Sequence, residues 1–426
     1  MRERPHARAG LVMAGTVLPL ARMVLPGFPH PDPLPEGEGA GGVLMISERR
    51  LIRAEPSFGL TAKLWQISWL YVALLCLLAG VGYVALYSAA GGSPEPYASK
   101  HVLRFGFSLV MMLCIALVDI RFIARFSYLV YGGAIVLLVL VLRVGHVGKG
   151  AQRWIDLGGL QLQPSELAKI GLVMALAAWF HKASWERMGN PLFLLPPIVM
   201  VLVPVGLILK EPNLGTAVIT GIVGGAVFMA AGVRWWKMAL VVLPLPFAAQ
   251  FAFNHLHDYQ RARITTFMNP ESDPLGAGYN ILQSKIALGS GGLWGKGFLQ
   301  GTQAHLNFLP EKQTDFIFTM LAEEFGLVGG LALMGLLCCI VLGAMGMALR
   351  CRHQYGRLLA LGIGVNFFMY VFVNLAMVMG AIPVGGVPLP LVSHGGSAML
   401  TVMFGFGLLM SVHVHRDVEF GEGRDD

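Results

Sequence analysis

Charge is scarce in this 426-residue chain: Asp, Glu, Lys and Arg together make up 13% of it, against about a quarter in an average soluble protein. Hydrophobic residues make up 55%. So few charged groups cannot cover the surface of an ordinary soluble domain, which excludes that class. The formal net charge is +7, but no basic surface interleaved with aromatic residues accompanies it, so nucleic-acid binding is disfavoured.

Cysteine is also scarce, and its placement argues against two further roles. The five cysteines lie within or at the ends of apolar runs. They have neither the spacing of a zinc site nor a plausible disulfide partner in an outside loop. An HExxH motif and an ordered Ser-His-Asp set are both missing. Zinc chemistry and covalent hydrolysis are therefore disfavoured, and these cysteines are interpreted as packing residues.

Long apolar runs are what the chain has in abundance. Runs of about 17 to 25 residues can each cross a bilayer as a helix. The sequence therefore predicts an all-α integral membrane protein with about ten transmembrane helices. Their approximate bounds are 66–89, 102–118, 126–143, 166–182, 192–209, 214–232, 238–254, 316–348, 358–380 and 395–414.

Lysine and arginine gather in alternate short connections, which predicts the orientation of the helices. Arg121 and Arg125 separate the second and third spans, and Arg350, Arg352 and Arg357 precede the ninth. Cytoplasmic connections carry the excess of such residues, so both termini are predicted to be cytoplasmic. The opposite connections then face outward, and one of them is a long periplasmic loop. They are 90–101, 144–165, 210–213, 255–315 and 381–394.

Composition divides the chain into three segments. Residues 1–62 are expected to be a disordered leader, since the stretch 28–42 is rich in Pro, Gly and Glu. An over-extended gene start, with Met45 as the true initiator, is a second interpretation of this segment. Residues 63–415 are predicted to form the transmembrane domain, and 416–426 a cytoplasmic tail.

Four acidic residues stand where the long loop 255–315 meets an apolar helix: Glu311, Asp315, Glu323 and Glu324. A carboxylate held at a membrane surface is costly, which makes it a functional candidate by default. An Asp near a helix N-terminus is also a common cap. Taken alone, Asp315 is therefore open equally to a functional and to a capping interpretation.

A Glu and a Lys open the predicted fourth span, in the stretch Gln163-Pro-Ser-Glu-Leu-Ala-Lys169. Pro164 is typical of a helix start, and Glu166 lies in the first turn, where the helix dipole favours a negative charge. Glu166 and Lys169 are three residues apart on one helix face and can pair. A purely structural ion pair and a role in binding phosphate or orienting a base both stay open.

Two of the outward connections contain cations, against the general bias. Arg153, with Trp154, lies in 144–165, and Lys285 lies in 255–315. Cations at the outer face suit an anionic ligand, such as the diphosphate of a lipid-linked substrate. Contact with lipid headgroups is the alternative.

Two segments rich in Gly and Pro interrupt the helical pattern. Residues 383–397 contain too many of both for a regular helix. Irregular backbone at membrane depth must line a cavity or be buried in protein, so Ser393 and Ser397 can donate to a ligand. Residues 289–297 lack the preceding strand and the Lys-Ser/Thr ending of a nucleotide loop, which argues against ATP and favours a re-entrant or surface segment.

Several stretches resemble the SEDS family (shape, elongation, division and sporulation), in register over roughly residues 60–415. Two short pieces, at Tyr279 and at Gly301, are closer to the elongation branch of the family than to the division branch. His394 stands where the family usually has Tyr. The matching stretches are Gly150-Ala-Gln-Arg-Trp-Ile155, Gln163–Lys169, Glu211–Ala217, Asp273–Lys285, Gly301–Gln303, Leu309–Phe318 and Pro388–Ser397.

The resemblance implies a peptidoglycan glycosyltransferase. Such an enzyme polymerises lipid II into glycan strands at the outer face of the cytoplasmic membrane, during cell elongation and the maintenance of rod shape. The implied partners are a class B penicillin-binding protein and other membrane proteins of the elongation complex. A lipid II flippase and a non-catalytic scaffold for a penicillin-binding protein are the alternatives.

The resemblance also implies roles for residues in this sequence. The family's essential aspartate maps onto Asp315, its Glu/Lys pair onto Glu166 and Lys169, and its loop tryptophan onto Trp154. Asp315 is expected to be the general base of an inverting transfer. A divalent cation, Mg²⁺ or Mn²⁺, is left open as a cofactor. The residues expected to bind substrate are Arg153, Trp154, Lys285, Thr314 and Ser393.

Overall fold

The computed structural model describes residues 59–148, 151–157, 160–243, 261, 265–268, 277–306, 308, 311–383 and 385–418. Most of the predicted leader 1–62 and of the predicted tail 416–426 lies outside these described residues. The predictions for both segments therefore stay predictions.

Apolar helices dominate the described chain, because a helix closes its backbone hydrogen bonds within itself, as lipid requires. In chain order the helices are α1 (Leu60–Gln66), α2 (Trp69–Ala89), α3 (Ala98–Ala116), α4 (Ile120–Val144), α5 (Pro164–Phe180), α6 (Trp185–Gly189), α7 (Pro191–Lys210), α8 (Leu214–Ala231), α9 (Trp235–Val242), α10 (Ala277–Ser290), α11 (Thr302–His305), α12 (Ile317–Arg350), α13 (Gln354–Val378) and α14 (Gly396–Val414).

Eight of the described helices are long and apolar enough to cross a membrane: α2, α3, α4, α7, α8, α12, α13 and α14. Helix α5 has 17 residues and matches the predicted fourth span. The predicted seventh span, 238–254, begins within α9 and continues outside the described residues. The all-α, multi-pass membrane architecture is confirmed, whereas the count of ten spans and their orientation stay predictions.

Helices α5, α13 and α14 form the middle of the bundle. Their side chains are mostly buried and apolar on all sides, as expected for a helix surrounded by other helices. Helix α5 packs against α4, α8 and α13, and α14 packs against α3 and α13. The few polar side chains buried on α5 and α13 include Glu166, Lys169 and Asn374.

The connection between α4 and α5 contains a small antiparallel sheet that the sequence did not lead us to expect. Strand β2 (Ala151–Leu157) pairs with β1 (His146–Gly148) on one side and with β3 (Leu160–Leu162) on the other. His146 lies opposite Trp154. The sheet gives Arg153 and Trp154 a defined position beside the start of α5.

Helix α12 is 34 residues long and is broken at Gly326, where φ is 67° and ψ is −164°. The glycine-rich segment 291–297 docks against this break. Lys296 donates its backbone N–H to the carbonyl of Glu323 at 3.0 Å. A Cβ at position 326 would collide with the backbone of the docked segment. The segment predicted to be re-entrant or at the surface is therefore packed onto α12.

Two buried carboxylates on α12, those of Glu323 and Glu324, bind the segments packed around the break in this helix. Glu323 accepts hydrogen bonds from Lys296 Nζ at 2.7 Å and from Thr302 Oγ1 at 3.1 Å. Glu324 accepts one from the hydroxyl of Ser88 on α2. Both carboxylates are buried, with exposed fractions of 0% and 1%. Two of the four acidic residues at this end of the loop therefore hold α2, α12 and the loop together.

Gly326→Ala is expected to lower the Tm of the protein in detergent, because a residue with a Cβ is strained at this φ by about 1–3 kcal/mol and would also clash with segment 291–297. Gly335→Ala is the matched control, since it lies on the same helix with nothing within 4 Å of the added Cβ. Equal Tm values for the two variants would contradict the docking.

Candidate active site

Asp315 lies on the turn that enters α12, and its side chain is half-buried. The N-cap residue of α12 is Phe316, whose own side chain makes no capping hydrogen bond. The capping and the functional interpretations of Asp315 therefore both stay open. The carboxylate of Asp315 lies beside Gly386, where an added Cβ would lie 3.7 Å from Asp315 Oδ2.

Asn374 on α13 holds the backbone of Asp315 in place. Its Nδ2 donates to the carbonyl of Asp315 at 3.0 Å and to the carbonyl of Val387 at 2.7 Å. The side chain is fully buried, with 0% exposed. Sequence reasoning missed Asn374, although a polar residue inside an apolar span was an available signal.

Two residues predicted to bind substrate contact each other at this turn. Ser393 Oγ donates to the carbonyl of Thr314 at 2.6 Å and accepts from the N–H of Leu389 at 2.9 Å. The next residue, His394, donates its N–H to the carbonyl of Gln313 at 2.8 Å. The irregular segment before α14 is therefore bonded to the Asp315 turn. Substrate binding by Thr314 and Ser393 stays a prediction.

The ion pair expected between Glu166 and Lys169 is present in the structure. Lys169 Nζ lies 3.0 Å from Glu166 Oε1, and the side chains are 1% and 6% exposed. The same ammonium donates to the hydroxyl of Tyr370 at 2.5 Å and lies 4.1 Å from the centre of its ring. A buried ammonium is costly without partners, and the carboxylate and the aromatic ring offset that cost.

Helix α13 links this ion pair to Asp315. Tyr370, which contacts Lys169, and Asn374, which holds Asp315, are four residues apart and lie on the same helix face. One helical turn, about 6 Å along the axis, separates them. The three predicted catalytic residues therefore belong to one connected set of contacts, and Tyr370 is a second member that the sequence analysis missed.

Helix α10 brings Lys285 to the same end of the bundle. The buried hydroxyl of Ser284 donates to the carbonyl of Val378 at 2.8 Å and lies 2.9 Å from Thr319 Oγ1. The side chain of Lys285 lies against Gly380, which has room for it because it has no Cβ. Lys285 is therefore next to the C-terminal end of α13, and its contact with substrate stays a prediction.

Arg153 is bonded to the turn between α7 and α8. Its Nε and Nη2 donate to the backbone carbonyls of Glu211 at 3.2 Å and of Pro212 at 2.6 Å. The guanidinium thus fastens strand β2 to that turn, with the half-buried Trp154 beside it. A role for Arg153 and Trp154 in binding substrate stays a prediction.

Glu211 is a buried carboxyl group that the sequence did not single out. It is 1% exposed, and among the described residues neither carboxyl oxygen has a hydrogen-bond partner. Burial raises the pKa of Glu211 to about 8, and the nearby charge of Arg153 offsets only part of that rise. The group is therefore mostly protonated at neutral pH.

No group of three or more His, Cys, Asp or Glu side chains that could hold a metal ion is found within the part of the chain that the structure describes. The divalent cation left open by the sequence thus has no protein site to which we can assign it.

The fold and this site define a class: a multi-pass membrane protein in which a few buried acidic and basic side chains meet at one end of a helical bundle. The chain belongs to the FtsW/RodA/SpoVE family, the SEDS family expected from the sequence. The family model, described as "Cell cycle protein", matches residues 67–418.

Relatives and solved structures agree with this membership. Peptidoglycan glycosyltransferase MrdB of Escherichia coli strain K12 is 43% identical over 349 residues, which cover 80% of this chain and 93% of the relative. A crystal structure of the Thermus thermophilus rod shape determining protein RodA matches with a TM-score of 0.63 and 28% identity, over 83% of this chain and 98% of that one.

A third match comes from a structure described as "Structural coordination of polymerization and crosslinking by a peptidoglycan synthase complex". Its TM-score is 0.72 at 30% identity, and it covers 83% of this chain and 99% of that chain.

Glu211→Gln is expected to raise Tm by a few degrees at pH 8 and by much less at pH 5. The pKa of Glu211 is about 8 in the folded protein, against an ordinary value of 4.5. Ionising this buried carboxyl therefore costs folding free energy, and the cost grows as pH rises from 4.5 to 8. Glutamine keeps the shape and cannot ionise. Thermal unfolding of both proteins in detergent across this pH range measures the effect, and a pH-independent difference would contradict it.

Proposed function

We propose that this chain is a peptidoglycan glycosyltransferase that polymerises lipid II in the cytoplasmic (inner) membrane during cell elongation and the maintenance of rod shape. The relative at 43% identity is named as an enzyme of this kind, and the Thermus thermophilus neighbour is named for rod shape. The observation that carries the proposal is the half-buried Asp315, whose backbone carbonyl is bound by Asn374 and whose carboxylate lies beside Gly386 in the irregular segment before α14.

In this proposal Asp315 is the general base. The 4-hydroxyl of the acceptor sugar attacks the anomeric carbon of the donor, and Asp315 takes the hydroxyl proton as the new bond forms. The bond from that carbon to the diphosphate oxygen breaks, with inversion at the carbon. Diphosphate leaves as an anion, so it needs charge stabilisation more than it needs a proton. Arg153 and Lys285 are the cations proposed to supply it.

Glu166 and Lys169 act in this proposal through α13. Lys169 is closed off from solvent by Glu166 and Tyr370, so its first effect is on the position of that helix. Asn374, one turn further along, then sets where Asp315 lies. A general base must be within hydrogen-bond reach of the proton it accepts, and a displacement of about 1 Å can cost a factor of about 10² in rate.

A class B penicillin-binding protein is the proposed partner. The similarity to a chain from a complex that coordinates polymerization and crosslinking supports this pairing. A flippase or a non-catalytic scaffold is less well supported, because the similar E. coli protein is itself named a glycosyltransferase. A flippase has nothing to transport in detergent, so glycan strands made there from purified lipid II would separate the two activities.

Asp315→Asn is expected to reduce the rate of glycan polymerisation by about 10² to 10⁴, the usual contribution of a general base. The measurement is the formation of glycan strands from purified lipid II in detergent. Glu186→Gln is the control, because it neutralises an exposed carboxylate on the short helix α6. Near-normal amounts of glycan product from Asp315→Asn would show that Asp315 is not the general base.

Asn374→Leu is expected to lower kcat with little change in KM, because the Asp315 turn loses its donor while the substrate contacts remain. Asn366→Leu is the matched control: it is the same substitution at a buried position on the same helix, two turns away. A folded Asn374→Leu protein that is as active as Asn366→Leu would show that Asn374 does not position the base.

A further inference from the structure

Arg104 is a cation placed against the start of another membrane helix. It lies two turns into α3, a candidate membrane span, and is half-buried. Its guanidinium rests on Gly396, the first residue of α14: a Cβ there would lie 3.0 Å from Cζ and 3.1 Å from Nε of Arg104. In the described part of the chain, no ion pair or hydrogen bond engages this guanidinium.

Electrostatics alone disfavours this placement. The N-terminus of a helix carries a partial positive charge, which attracts anions and repels cations. Lys100, one turn before Arg104 on α3, adds a second positive charge. Burial lowers the pKa of His394 first, and the nearby charges of Arg104 and Lys100 lower it further. Two cations thus lie near the start of α14, and neither forms an ion pair with a carboxylate among the described residues.

A second observation points to a ligand at this position. Ser397, the second residue of α14, is 3% exposed, and its hydroxyl has no hydrogen-bond partner in the described structure. A buried polar group normally has one. Donors of three kinds that bind phosphate meet here: the Ser397 hydroxyl, the first-turn N–H groups of α14, and the guanidinium of Arg104, which has no partner among the described residues.

We propose that Arg104, Ser397 and the N-terminus of α14, with Lys100 at the rim, bind the diphosphate of a polyprenyl-linked ligand. Two side-chain charges match a diphosphate better than the single charge of a phospholipid phosphodiester. The site adjoins the Asp315 turn, since His394 is bonded through its backbone to Gln313. Identifying the ligand as the released polyprenyl diphosphate carrier rests on the proposed function, in which Arg153 and Lys285 stabilise the diphosphate during the transfer. The anion site itself does not rest on it.

The test is the binding of undecaprenyl diphosphate to the purified full-length chain in detergent, measured as a concentration-dependent rise in Tm. Arg104→Gln is expected to weaken binding by about tenfold or more, the typical effect of losing a charge-assisted hydrogen bond. Arg143→Gln is the matched control. It removes the same charge from an exposed residue in the last turn of α4, and it should bind as the wild type does.

Gly396→Ala separates geometry from charge. It keeps every charge and improves helix propensity, but its methyl group displaces the guanidinium of Arg104, so binding should weaken in a well-folded protein.

Inorganic pyrophosphate should compete for the site, and phosphatidylglycerol should not. Wild-type affinity in Arg104→Gln would overturn the proposal, and wild-type affinity in Gly396→Ala would overturn the place of the α14 N-terminus in the site. Equal, Arg104-dependent binding of phosphatidylglycerol would overturn the diphosphate assignment.

The Asp315→Asn variant allows the anion site to be tested independently of the proposed reaction, because it should still bind undecaprenyl diphosphate. If Asp315→Asn polymerises lipid II normally while Arg104→Gln loses binding, the base is wrong and the anion site stands. If Asp315→Asn is inactive while Arg104→Gln binds as the wild type does, the reaction stands and the anion site is wrong.

Discussion

The ammonium of Lys169, buried between the central helices near one end of the bundle, is the constraint on which the rest of the site depends. A charge in such surroundings persists only with partners, and Lys169 has two, Glu166 on its own helix and Tyr370 on α13. Separating α5 from α13 would leave the ammonium with one partner fewer. The pair therefore ties together the two helices that determine where the catalytic candidates lie.

Backbone hydrogen bonding explains why Asp315 can be held firmly on a turn. The chain before α12 and the chain before α14 are both irregular, so each has carbonyl and N–H groups that need partners. They satisfy one another through Ser393, His394 and Asn374. The backbone that carries the Asp315 carboxylate is thereby positioned by groups that do not react in the proposed transfer, and such preorganisation reduces the reorganisation that a reaction requires.

Much of the fold could be predicted because lipid restricts the possible structures so strongly. The bounds predicted for α8 and α14 differ from the observed ones by a single residue at one end, since apolar length is the signal and the bilayer sets that length. The sheet at β1–β3 gave no comparable signal, because its strands are short. The break at Gly326 was also missed: the predicted span 316–348 runs straight through it, and only docking of segment 291–297 makes the unusual backbone favourable.

The sequence by itself determined the class of protein and the spacing that lets Glu166 pair with Lys169, and through the family resemblance it nominated Asp315 as a candidate base, because composition, helical spacing and motif are local properties of the chain. Only the tertiary structure decided that Tyr370 and Asn374 connect these residues, that the carboxyl of Glu211 is buried with no hydrogen-bond partner among the described residues and that Arg104 meets the start of α14. The physical reason is that burial and pairing depend on which helices pack together, and residues such as Arg104 and Gly396 are brought into contact by folding alone.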